Sequence, residues 1–122
     1  MINGFEEQTS PLSEYERDVL LPLVVRGLRL KVGRENAVTN KEMCAGLGRH
    51  GYEVSGARIR KLIHHIRTEG LVIGLVATSG GYYVATEKDE IVSYVRSLEG
   101  RETAIRRVRE VLIAQLAFLN NC

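Results

Sequence analysis

The chain has 122 residues, 44% of them hydrophobic and 26% charged, with 17 Lys and Arg against 15 Asp and Glu for a net charge of +2. That length suits one modest core with room for a helical appendage. No run is long and apolar enough to span a bilayer, no tract is of low complexity, and Cys44 and Cys122 lack metal or redox spacing, so a reduced, cytoplasmic setting without membrane, metal or cofactor is expected.

Residues 1–12 open with MINGFEEQTS, which is acidic rather than signal-like, and are expected to form a flexible N-terminus. Ser13 then begins S-E-Y-E, a capping-box pattern with Glu16 at its third position. Tyr15, Val19, Leu20, Leu23, Val24 and Leu28 continue at helical spacing. Pro22 removes a backbone donor and clashes with the preceding turn, so a kink or break is expected near Leu21. The helix is expected to end at Gly33, and RENAVTN reads as a connector. Thr39 opens a second capping box, T-N-K-E, and NKEMCAGLG forms a short helix with Met43, Cys44 and Leu47 on its apolar side.

A third helix, 55–69, starts at Ser55 and stops at Gly70. Ile59, Leu62, Ile63 and Ile66 follow i, i+3, i+4, i+7 and form one buried face. At roughly 100° per residue, Ala57, Arg60, Lys61, His64 and Thr68 fall opposite, flanked by Arg58, His65 and Arg67. LVIGLVA (71–77) and YYVAT (82–86) read as two strands joined by T-S-G-G, an antiparallel hairpin. Tyr82 and Tyr83 alternate along the second strand, one inward and one outward.

Thr86 begins T-E-K-D, a cap for a helix running to about Leu98. Gly100 is read as punctuation before a last helix, Arg101–Leu119. Ile91, Leu98, Ile105, Leu112 and Leu119 recur every seven residues, with Tyr94, Arg101, Val108 and Gln115 between them: a partial heptad. Two readings are open. Either this extension packs on its own domain, or it forms a helical dimer or bent hairpin. The expected fold is therefore mainly α with a small β-hairpin, comprising residues 13–86 as one domain and 87–122 as a C-terminal helical extension.

Charge is uneven along this order. Residues 24–67 carry ten Lys and Arg against three acids, while the segments on either side are net negative. A basic block in a nearly neutral chain suits a polyanionic partner as well as it suits a solvated surface. A short helix, a turn, a basic amphipathic helix and a hairpin also have a familiar order. The stretch TNKEMCAGLGRHGYEVSGARIRKLIHHIRTEGLVIGLVATSGGYYVAT resembles the winged helix-turn-helix modules of the biotin-repressor N-terminus and of many small bacterial and phage proteins. The resemblance covers about residues 36–86. It rests on the capped entry, the small Ala45, a recognition helix trailing into Glu69 and Gly70, and a SGGYYVA wing. The turn GLGRHGYEVSG is longer than in the simplest members.

The resemblance implies double-stranded DNA as partner and a transcriptional regulator or phage accessory factor as role. A helix about 10–12 Å across enters a major groove roughly 12 Å wide. Because the aliphatic face is held inward, the N-terminal and outer positions Ser55, Gly56, Ala57, Arg60, Lys61 and His64 are the candidates for base edges. Arg60 suits a paired contact to guanine. Lys61, Arg58 and Arg67 suit phosphates. Thr39, Asn40 and Lys41 stand at a helix N-terminus, which favours a phosphate, and Ser79 lies at the wing tip. The rival reading is a winged-helix adaptor that docks a protein. An enzyme is not expected: there is no phosphate-binding glycine loop, nucleophile elbow or paired acids. Neighbouring His64 and His65 point about 100° apart and cannot share a metal ion.

Overall fold

The structure, a computed structural model, describes residues 10–120, with only the backbone of Asn120. Among these residues it is mainly helical, with four α-helices and a two-stranded antiparallel hairpin. In chain order these are a π-helical turn, Glu16–Leu20, continuing into α1, Leu21–Arg29; a 3₁₀ turn, Arg34–Asn36; α2, Asn40–Arg49; α3, Gly56–Glu69; β1, Leu75–Thr78; β2, Gly81–Val84; and α4, Lys88–Asn120. The chain divides after Thr86 into two compact units.

Three of the four expected caps, those at Ser13, Thr39 and Ser55, are present. Ser13 N donates to Glu16 Oε1 and Glu16 N to Ser13 Oγ. Thr39 and Glu42 exchange the same pair of bonds at the start of α2. The Ser55 hydroxyl accepts from Arg58 N at the start of α3. Each satisfies amides that a helix start leaves without partners. The other end of α3 closes on Gly70, at φ 64°, a left-handed conformation that glycine adopts without steric cost.

Pro22 does not break the first helix. The chain widens to a π turn immediately before it, with Leu21 N bonded to Glu16 O five residues back. In a regular α-helix the proline ring meets the carbonyl four residues earlier; the wider turn moves that carbonyl aside and the helix runs on. The helix ends at Arg29 rather than Gly33. Residues 10–12, expected to be loose, are anchored in part: Leu12 packs against the core, and the carbonyls of Ser10 and Pro11 accept from Arg58. The rest of the expected flexible N-terminus lies outside the described residues, as does Cys122.

The core of the first unit joins Leu20, Val24 and Leu28 to Val38, Val72 and the α3 face. Ile59, Leu62, Ile63 and Ile66 on that face are at most 1% exposed. Burying four such side chains is worth roughly 1.5–3 kcal/mol each before entropy is counted, so the rotation of α3 about its axis is firmly set.

The hairpin is shorter than expected, because Leu71–Gly74 turns rather than extends. Its register pairs Leu75 with Val84 and Thr78 with Gly81. The connector before α2 supplies a third edge: Val38 pairs antiparallel with Tyr82, and Val32 pairs parallel with Val84. This edge runs so close that a Cβ on Gly81 would collide with the Val38 carbonyl, and Gly81 holds φ +116°. Only glycine meets both demands. Tyr82 is thereby fixed by two backbone bonds to Val38.

The second unit is α4. Its 33 residues run without interruption through Gly100, so the expected punctuation there is absent. A mid-helix glycine costs about 1 kcal/mol relative to alanine, and 32 other residues outweigh it. No helix among the described residues is long and apolar enough to cross a membrane.

Candidate functional site

The outer face of α3 borders an open groove of about 610 Å³ lined by Asn40, Arg60, Lys61, Ile63, His64, Arg67 and Tyr82. Three elements build it. The fixed rotation of α3 turns Arg60, His64 and Arg67 outward, where all three are exposed. The start of α2, packed on α3, contributes Asn40. The third sheet edge holds Tyr82 in place at the far wall. The Arg67 guanidinium lies 5.8 Å from the Tyr82 ring centroid, within the range of a cation–π contact. The floor, Ile63, is part of the buried core.

No acidic side chain lines this groove. Arg60, Lys61 and Arg67 therefore face one opening with no carboxylate among the lining residues. Such an arrangement raises the local concentration of anions. The Asn40 side chain adds a polar group whose Oδ1 is buried without a hydrogen-bond partner among the described residues.

Five of the expected site residues thus converge: Asn40, Arg60, Lys61, His64 and Arg67. Others do not. Ser55 caps α3, Gly56 is exposed and Ala57 is half-buried beside it, all outside the groove lining. A Cβ on Gly56 would make only an ordinary contact with Arg60, so nothing within the fold demands glycine there. Thr39 has its amide and hydroxyl oxygen engaged with Glu42. The Glu42 carboxylate is held below its ordinary range, chiefly by the Thr39 amide. At this helix start the Glu42 carboxylate thus accepts from the Thr39 amide, and Lys41 is exposed. Ser79 is exposed at the hairpin tip. Neither tyrosine of β2 is fully exposed: Tyr83 is buried, and Tyr82 is half-buried at the groove wall.

Arg58 is the clear correction. It was expected to contact phosphate, yet its side chain is only 13% exposed and forms a two-pronged ion pair with Glu16, Nε to Oε2 at 2.7 Å and Nη2 to Oε1 at 2.6 Å. Its remaining donors reach the carbonyls of Ser10 and Pro11. The Arg58 guanidinium, aided by the Ser13 amide and opposed by burial, lowers the Glu16 pKa to about 2. This arginine ties the start of α3 to the N-terminal segment. Sequence reasoning saw Glu16 as a cap and missed its second task.

Arg29 is likewise an internal tie, donating to the Leu71 carbonyl. Cys44 is half-buried, and burial raises its thiol pKa, so it has the character of a small packing residue rather than a nucleophile. Among the described residues no group of three or more His, Cys, Asp or Glu is placed to hold a metal ion. Set against protein-family models, curated proteins and solved structures, the chain matches none.

Proposed function

We propose that the protein binds double-stranded DNA, with α3 entering the major groove and the hairpin serving as the wing of a winged helix-turn-helix. The observation that carries this reading is the groove itself: Arg60, Lys61 and Arg67 converge on the one face of α3 that the core leaves free. Arg60, exposed near the first half of the helix, is the candidate for a base contact. Lys61 and Arg67 take flanking phosphates. Tyr82 steadies Arg67 and offers an aromatic edge to a sugar. Arg58 is outside this set, because its donors are already used within the fold. A transcriptional or phage accessory role in the cytoplasm belongs to the same reading.

The test is a titration against duplex DNA at two salt concentrations, with Arg60→Ala/Lys61→Ala beside the wild type. Affinity should fall steeply with salt, and the double change should weaken binding while reducing the slope of log K against log salt by about 1, for the phosphate contact of Lys61. Because both side chains lie outside the core, the thermal midpoint should stay within a few degrees. Binding that ignores both salt and the double change would overturn the proposal. Capture of a protein partner with no measurable DNA affinity would favour a protein-docking adaptor instead.

A further inference from the structure

The apolar stripe of α4 is the feature that the DNA reading leaves unused. At 33 residues the helix is about 50 Å long. Ile105, Val108, Leu112, Leu116 and Leu119 are all more than half exposed along it. In heptad terms Leu98, Ile105 and Leu112 occupy position a, and Arg101, Val108 and Gln115 occupy position d. Glu102, Arg109 and Leu116 flank the seam at position e. Two polar residues at d make most pairings costly, and that cost selects among the alternatives.

A parallel pair stacks like positions, so Arg101 would face Arg101 of the other helix. An antiparallel pair stacks a against d. With the dyad between Arg106 and Arg107, Ile105 meets Val108 of the second copy, Arg101 meets Leu112, and Gln115 meets Leu98. No like charges meet in these layers, and long polar stems can lie along an aliphatic neighbour with their ends in water. In this register Glu102 also lies beside Arg109 of the second copy, twice by symmetry, and Val95 lies beside Leu116. Sliding one heptad either way instead sets Glu102 against Glu102 or Arg109 against Arg109. Of these three antiparallel registers, only the first sets opposite charges beside each other.

Area agrees. Fully burying a Leu, Ile or Val removes roughly 60–120 Å² from water, so the seam residues of two helices supply on the order of 1,000 Å², the size at which specific association begins.

We infer that the protein forms a homodimer through an antiparallel pairing of α4, centred between Arg106 and Arg107 and registered by Glu102–Arg109 pairs across the seam. The inference is independent of nucleic acid, so its test needs none. Light scattering on the full chain should show a dimer at micromolar concentrations. Glu102→Arg and Arg109→Glu, each alone, set like charges across the seam and should each weaken the dimer about tenfold. An equimolar mixture of the two variants places opposite charges at every cross-pair and should restore wild-type affinity as a heterodimer. Circular dichroism on each variant checks that the helix is intact. A monomer at 100 μM on the order of magnitude of a weak interface, or a dimer that neither charge change weakens, would overturn the inference.

Discussion

Helices α3 and α4 carry the same kind of signal and meet opposite outcomes. Each places aliphatic residues at three- and four-residue spacing. In α3 the resulting face is closed to water, at no more than 1% exposure. In α4 the stripe stays open, with Ile105 at 69% and Leu119 at 73%. Amphipathic spacing states that a helix needs a partner surface, and it does not state where that surface lies. For α3 the partner is the chain's own α1 and connector. For α4 it is, on the inference above, another α4. On the two proposals above, the difference also sorts the polar residues: α3 would present its free face to nucleic acid, whereas charges beside the α4 seam would select the partner.

The comparison can be broken most directly at its apolar residues. Ile63→Ala should destabilise the first unit by about 2–5 kcal/mol, because neighbours around a fully buried site relax only partly. Ile105→Ala, measured on dilute monomer, should stay within about 0.5 kcal/mol of wild type. Urea unfolding of both variants checks this, and equal losses would mean that the two stripes are not different in kind.

Next in size is the acid sensitivity of the anchored end of α3. Glu16 has a folded pKa of about 2 against an ordinary 4.5, so the unfolded chain binds this proton more readily. The stabilisation is fully present above pH 4.5 and fades as pH falls from there towards 2, amounting to about 3 kcal/mol at most. Glu16→Gln should be less stable at neutral pH and should lack this component of the acid transition. Urea midpoints taken at intervals between pH 7 and pH 2 would show it. The α4 charges are exposed, and altering them should leave that profile unchanged.

The smallest effects should have opposite signs. Gly70→Ala puts a side chain on a residue at φ +64° and should cost about 1 kcal/mol. Gly100→Ala adds a Cβ with nothing within 4 Å and should gain about 0.5–1 kcal/mol of helix stability. Thermal unfolding followed by circular dichroism distinguishes the two. The same residue type thus ends one helix and is merely tolerated inside the other.

Much of the fold was legible because its causes are local. The caps at Ser13, Thr39 and Ser55 depend on residues within three positions. The buried face of α3 is spelled by four residues within two turns, and the hairpin by its T-S-G-G turn. From these follow which side of α3 is free and that Arg60, Lys61 and His64 share it, with Arg58 and Arg67 at its flanks. The remainder needed distant partners. Pro22 predicts a break when only its own ring is considered; widening of the turn before it is a packing solution that composition does not announce. The Val38–Tyr82 edge joins residues that no short pattern links.

Sequence alone therefore determined where α2 and α3 start and where α3 stops, which face of α3 is apolar, and where the basic block lies, since each follows from spacing and short-range hydrogen bonding. Tertiary structure alone decided which cations remain available. Arg58 and Arg60 are two residues apart and look alike in sequence. Glu16, 42 residues before Arg58, meets Arg58 only when α1 and α3 close on the shared core, and that long-range pairing takes Arg58 out of the exposed basic set.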